Sequence, residues 1–249
     1  MQRYFIDELI NLDDVFALSQ EDNHHLVNVM RAQVGFKIEI VDNQSQLFLA
    51  EVKGIENRQA ELIAIEALSQ NVELPISVTI ASGLVKNDKF DWLIQKATET
   101  GMTAFIPLSL KRDVVKWDGK KSTKRIERLE KIAKEAAEQS HRLMIPQIYD
   151  LMTLNQLLET AHEYDYFVVL YEETAKQGEH HALKQLTIDL KPGDKILAVF
   201  GSEGGLDESE IKLMMNEGAT QTSLGPRILR AETAPIYFLS ALSFALEIK

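Results

Sequence analysis

The chain contains no cysteine. That removes disulfides, thiolate zinc sites and cysteine nucleophiles from the available chemistry, and it fits a reducing compartment. A long apolar run is missing at the start: MQRYFIDELINLDD carries Asp7 and Glu8 and reads as neither a signal peptide nor a membrane span. Internal repeats and low-complexity tracts are absent as well. So is an excess of positive charge, since 27 Lys and Arg face 38 Asp and Glu for a net −11, which on its face argues against a nucleic-acid partner. These absences lead us to expect a cytoplasmic protein with neither a metal nor a membrane partner. What is present is ordinary for a globular protein: 249 residues, 45% hydrophobic and 26% charged, enough for one large domain or two modest ones.

The charge is unevenly spread. Lys111 to Arg142 hold eleven Lys and Arg against six Asp and Glu, a local net of +5 that leaves −16 for the rest. Such a segment is either a phosphate-binding face or a solvated helix with paired charges, as KRIERLEKIAKEAAE permits. Charge alone leaves both open.

Up to about residue 70 the pattern is that of strands. FKIEIVDN, QLFLAEVKGIE and AELIAIEAL alternate in part, with a hairpin signal in VDNQSQ, and Ser19 is placed to cap a helix over QEDNHHLVNVMRA. Closely spaced strands predict a small barrel. The polar run SQNVELP ends it, so we place domains at 1–72 and 73–249. Strands and helices then alternate. ISVTIASGL, TAFIPLSL, YFVVLY, KILAVFG and TQTSLG read as strands. Asn87 or Asp88 is the expected cap of a helix closed by Gly101, Thr123 that of a long helix, and Asp207 with Glu210 forms a capping-box pattern. This alternation predicts an α/β domain with a mainly parallel sheet.

Two stretches stand where such sheets bind ligands, after a strand and before a helix: FGSEGGLDESE from Phe200 and SLGPRILRAETAP from Ser223. The first lacks both the Gly-Lys-Ser/Thr ending of a triphosphate loop and the G-x-G-x-x-G spacing. Its glycines let backbone approach a ligand; a plain strand–helix turn is the plainer reading. Arg227 and Arg230 in the second stretch suit an anion, or an ion pair with Glu232 or Glu203.

GSEGGLDESEI followed by LGPRILRAETAP resembles the paired C-terminal motifs of the SPOUT RNA methyltransferases, and more narrowly the 16S rRNA uracil-N3 methyltransferase family, the RsmE type. KNDKFDWLIQKATETGMTAFIPL and KIAKEAAEQSHR resemble two more of its segments, and RYF with HHLVNVMRAQVG its PUA-like domain, so the likeness runs along nearly the whole chain. Ser202 stands where the family has proline, and Leu110-Lys111-Arg112 where it has Ser-Glu-Arg.

The resemblance implies an N-terminal PUA-like β-barrel that binds RNA, over 1–72, and a SPOUT methyltransferase domain with a C-terminal trefoil knot over 73–249. It also implies a homodimer served by the last helix, and S-adenosylmethionine as cofactor. The implied cofactor residues are Leu170, Tyr171, Glu172, Phe200, Gly201, Glu203, Gly204, Gly205, Leu224, Gly225, Ile228, Leu229 and Arg230. Uracil N3 must lose a proton before it attacks a methyl group, so a cation near O2 or O4 and a base are needed. Arg230 is the first choice for the cation, with Glu232 and Glu138 as candidate bases beside Glu203. Arg3, Arg31, Arg112, Arg142 and His141 are the expected RNA contacts, and the partner is 16S rRNA within the 30S ribosomal subunit. His24 and His25 either stack on bases or have plain surface or core roles. Two readings compete: a SPOUT enzyme acting on another rRNA or tRNA position, and a non-catalytic ribosome-assembly factor.

Overall fold

The computed structural model describes residues 1–86, 88–171 and 181–248. The chain divides into two units, Met1–Glu73 with Ala137–Met144, and Leu74–Ala136 with Ile145–Lys249. The sequence placed the second domain unbroken from 73 onward; the excursion of Ala137–Met144 into the first unit was not foreseen.

The first unit holds β1 (Arg3–Phe5), β2 (Val15–Phe16), α1 (Gln20–His24), β3 (Lys37–Val41), β4 (Leu47–Glu56) and β5 (Gln59–Leu68). The strands pair in the order β1-β3-β4-β5-β2, parallel only at β1–β3. Ser19 caps α1 as expected, its hydroxyl oxygen accepting the Asp22 N–H at 3.1 Å. A π-helical stretch, His25–Val29, follows in place of the longer α-helix. The β3–β4 hairpin is fixed by the Asp42 carboxylate, which accepts the N–H of Gln44 (2.9 Å) and of Gln46 (2.8 Å). Inward residues of the strands, among them Tyr4, Ile38, Ile40, Phe48, Val52 and Leu62, form one apolar core.

Arg3 is fully buried in this unit and is held from every side. Its guanidinium donates to Glu39 at 2.9 and 2.8 Å, to the Gln70 side-chain oxygen at 2.8 Å, and to the carbonyls of His141 and Arg142. Arg142 is buried too; its Nε donates to Glu73 at 3.0 Å, and Glu73 also accepts the Leu143 N–H at 2.7 Å. An unpaired buried charge costs several kcal/mol, so this network ties Ala137–Met144 to β1 and β3.

The second unit runs β6 (Ser77–Gly83), α2 (Lys89–Glu99), β7 (Ala104–Ser109), α3 (Gly119–Gln139), β8 (Gln147–Ile148), β9 (Met152–Thr153), α4 (Leu154–Thr160), β10 (Tyr166–Leu170), α5 (His181–Asp189), β11 (Lys195–Phe200), α6 (Glu208–Asn216), β12 (Thr220–Thr222) and α7 (Ala234–Glu247). The last residues of α3 fall in the segment counted with the first unit. Among the described residues the sheet has the order β12-β10-β11-β6-β7-β8, with β9 beside β7, and every pairing is parallel. Alternation sends Ile196, Ala198 and Phe200 of β11 to one face, against α2 and α7, and Leu197 and Val199 to the other, against α4 and α6. Strands covered on both faces read as continuous apolar runs, which is why YFVVLY and KILAVFG were legible.

Three expected caps met different fates. Asp207 and Glu210 form the full capping box of α6. Thr123 does not cap α3, which starts at Gly119; Asp118 does so, its carboxylate accepting the Lys121 N–H at 3.1 Å, while Thr123 donates to the Gly119 carbonyl. Asp88 precedes α2 without a side-chain capping bond, and Asn87 lies outside the described residues.

Candidate functional site

Adjacent strands β12, β10 and β11 end at Thr222, Leu170 and Phe200, and the chain leaving them encloses a cavity of about 660 Å³ in the second unit. That volume lies in the range of sites for small molecules and cofactors. Parallel strands deliver their carboxyl ends to one edge, where loops are free to vary without disturbing the sheet.

Three loops build the wall. Leu170 and Tyr171 come from the end of β10, whose register is continued where the Tyr171 N–H donates to the Thr222 carbonyl at 3.2 Å. Gly201 to Leu206 follow β11, with Phe200 anchored edge-on against Phe238 of α7 at 5.9 Å. Ser223 to Ala231, with Ala234, come from the approach to α7 and bring Leu224, Gly225, Ile228, Leu229 and Arg230 to the cavity. Every cofactor residue named from the sequence lines this space except Glu172, which lies outside the described residues.

The glycines here have spatial reasons. The turn Ser202 to Gly205 is closed by the Gly205 N–H donating to the Ser202 carbonyl at 2.9 Å, with Gly205 at φ +73°. A Cβ on Gly204 would fall on the carbonyl oxygen of Arg112. The glycine loop therefore lies directly on the backbone that follows β7. Serine in place of proline at position 202 is compatible with the turn, because it is the carbonyl that closes it.

The Lys111 region is a second support. Its N–H donates to Glu210 at 2.8 Å and its ammonium to the Ser209 hydroxyl at 2.6 Å, so the lysine that departs from the family pattern braces the start of α6. Arg112 lines the cavity and pairs with Asp207 at 3.5 Å. Ser209 and Arg112 help hold the Asp207 carboxyl below its ordinary value. Asp113 is pushed the other way, up, chiefly by burial, although the Leu110 N–H donates to it at 2.8 Å.

Sequence reading missed Lys89. From the first turn of α2 its ammonium reaches Glu203 at 3.1 Å and Glu232 at 3.3 Å, tying the glycine loop to the loop before α7. These hydrogen bonds raise the Lys89 value, with Glu203 the larger cause. Burial would raise Glu203, but the Lys86 N–H at 3.1 Å and Lys89 outweigh it and hold that carboxyl low. Only the family-like KNDKFD pointed to this lysine; nothing in its spacing from the acids did.

Arg230 is exposed at the cavity rim and has no ion-pair partner among the described residues. The pairs considered for it go to Lys89 instead. Other expected residues lie elsewhere. Glu138, a candidate base, is buried in the first unit and does not line the cavity. Arg3 and Arg142, expected on RNA, are spent on internal ion pairs, and His141 sits against Glu39 at 3.1 Å. Arg31 is exposed in the first unit, at φ +53°. His25 accepts or donates a hydrogen bond with Tyr4 at 2.9 Å, a core role; His24 is exposed.

The chain is similar to known proteins along its whole length. Residues 72–243 match the model of the RNA methyltransferase domain, and residues 18–65 that of the RNA methyltransferase PUA domain. Ribosomal RNA small subunit methyltransferase E of Bacillus subtilis is 45% identical over 100% of this chain and 98% of its own. The protein of the same name from Synechocystis is 33% identical over 95% of this chain and 75% of its own. Among solved structures, ribosomal RNA small subunit methyltransferase E from Neisseria gonorrhoeae bound to S-adenosyl methionine superposes with a TM-score of 0.86 at 25% identity, covering 98% of this chain and 97% of its own.

Proposed function

The chain belongs to the ribosomal RNA small subunit methyltransferase E family, and from that premise we propose that it carries a methyl group from S-adenosylmethionine to N3 of a uridine in 16S rRNA. It is an S-adenosylmethionine-dependent RNA methyltransferase with a PUA-like N-terminal unit. The observation that carries the reading is the cavity at the ends of β10, β11 and β12, rimmed by an arginine without an ion-pair partner among the described residues.

The residues present fit the cofactor. The glycine loop exposes backbone rather than side chains, and Leu224, Ile228 and Leu229 give apolar walls for an adenosine-sized group. When bound, S-adenosylmethionine supplies an electrophilic methyl group on a sulfonium, so the protein's task is position and electrostatics. Arg230 at the rim would face the uracil oxygens and stabilise the charge that develops when N3 loses its proton. Glu203 is a poor proton acceptor because Lys86 and Lys89 already donate to it. Glu232 does not itself line the cavity, but it pairs at 3.3 Å with Lys89, which does, and among the described residues no backbone N–H is given to it as Lys86 gives one to Glu203; it is the better candidate base. N3 lies on the pairing edge, so the target uridine must be unpaired and turned out into the site.

A trefoil knot over the C-terminal loops and a homodimer belong to this reading. The dimer is supported by the apolar side chains that α7 and its end leave exposed, Phe244 at 67% and Ile248 at 66%. A cytoplasmic location fits an rRNA substrate; among the described residues no helix is long and apolar enough to cross a membrane. No group of side chains among them suits a metal.

The test is mass-spectrometric nucleoside analysis of 30S subunits from a strain lacking the protein, after incubation with it and S-adenosylmethionine. The expected result is one new N3-methyluridine per subunit. Another methylated nucleoside would move the target, and none at all would refute the reading.

A further inference from the structure

The basic segment that stood out in the sequence is split by the structure. Its end, Ala137–Met144, is part of the first unit, and there Arg142 is buried and paired. The earlier part, Lys116 to Lys131, stays in the second unit with the cavity and keeps seven Lys and Arg against three acids.

Burial fixes how this part faces. Ile126, Leu129, Ala133 and Ala136 of α3 are buried. The opposite side carries Lys120, Lys124 and Lys131, all exposed, and Lys116 is exposed just before the helix. Some cations nearby are already engaged: Lys121 with Asp118 at 3.1 Å, Arg128 with Asp91, and Arg125 over the Trp117 ring at 5.2 Å. Lys116, Lys120 and Lys124 have no ion-pair partner among the described residues. Lys120 and Lys124 share one row of the helix, about 6 Å apart along its axis, and Lys116 stands four residues earlier, before the helix begins.

This row opposes the helix's own stability. The amino end of a helix carries partial positive charge and favours acids. Asp118 caps that end of α3 and pairs with Lys121, but the first turn itself holds no acid, and Lys120, Lys121, Lys124 and Arg125 crowd the first two turns. A helix serving only the core would not need that arrangement. The apolar stripe that packs it is complete without these residues.

We propose that Lys116, Lys120 and Lys124 form a phosphate-contacting row by which the catalytic unit itself grips the RNA backbone. This rests on the reading of the chain as an rRNA methyltransferase. Lysines suit the task, since each presents a mobile point charge to a phosphate without reading sequence. In a chain of net −11, a local row gives electrostatic grip at one place while the rest of the surface resists unspecific RNA.

The experiment uses the full chain with Lys116, Lys120 and Lys124 all changed to Gln. A second variant, Lys184→Gln with Lys191→Gln and Lys212→Gln, removes the same charge from exposed positions elsewhere. KM for 30S subunits is measured from low to physiological salt, with S-adenosylmethionine affinity followed by calorimetry. For the α3 variant we expect a KM at least tenfold higher, and a slope of log affinity on log salt reduced by about 2, from roughly 0.7 per lost phosphate contact on single strands. Cofactor affinity and kcat at saturating subunit should stay within twofold, and the second variant should match wild type. Equal slopes for the α3 variant and wild type, or equal losses in both variants, would overturn the row. If wild type methylates no subunit, the substrate reading fails; the same salt series on binding of 16S rRNA then judges the row alone.

Discussion

Lys89 is where the two C-terminal loops converge, with Glu203 from one and Glu232 from the other on a single ammonium. Charge-assisted hydrogen bonds contribute about 1.5–3 kcal/mol each, and 1.4 kcal/mol is tenfold in affinity. Lys89→Met should therefore weaken S-adenosylmethionine binding about tenfold or more by calorimetry, with the fold kept. Unchanged affinity would mean the tie does not shape the site. Arg230 has a different part. Arg230→Ala should lower kcat by roughly 10² to 10³, the usual effect of removing a group that stabilises an oxyanion, while cofactor affinity changes only a few-fold; a lost cofactor affinity would make it a binding residue instead. At this scale, what the sequence told depended on distance along the chain. That Leu224 to Arg230 and Gly201 to Gly205 belong to one site was legible because each loop is a continuous stretch, and both line the same cavity. Arg3 with Glu39, Arg142 with Glu73, and Lys89 with Glu203 were not, because partners far apart in sequence leave no local pattern.

The elements that place these residues are loops lying on loops. A Cβ at Gly204 has no room against the Arg112 carbonyl, so Gly204→Ala must displace one loop from the other. Beneath them Asp113 is kept above the ordinary value of 3.8, first by burial. A carboxyl whose folded value is raised contributes its full stability below the unfolded value and loses it as pH rises through the raised one. Asp113→Asn keeps an oxygen to accept the Leu110 N–H and cannot ionise. The variant should gain on wild type in denaturant midpoint as pH rises from about 4 to 7, and a difference constant with pH would show that Asp113 does not titrate in this window. Strands β6, β7, β10, β11 and β12 and the α6 capping box followed from period and punctuation, while the two-residue β8 and β9 are too short to leave a period. Thr123 misled because the helix starts a turn earlier, at Gly119, where the Asp118 carboxylate takes the Lys121 N–H.

Over the whole molecule, composition gave a true average and hid its parts. Net −11 argued against nucleic acid, yet a matched PUA domain and an RNA methyltransferase domain fill most of the chain. The basic segment divides between the units: one end braces the first unit and the other faces solvent in the second. We propose the cavity at the ends of β10, β11 and β12 as the cofactor site. Calorimetric titration of S-adenosylmethionine into wild type and Gly204→Ala tests it most directly, with thermal melts to check that both are folded. We expect one cofactor per chain for wild type and an affinity at least tenfold weaker for a folded Gly204→Ala. Equal affinity in the two proteins would place the cofactor elsewhere and contradict that assignment.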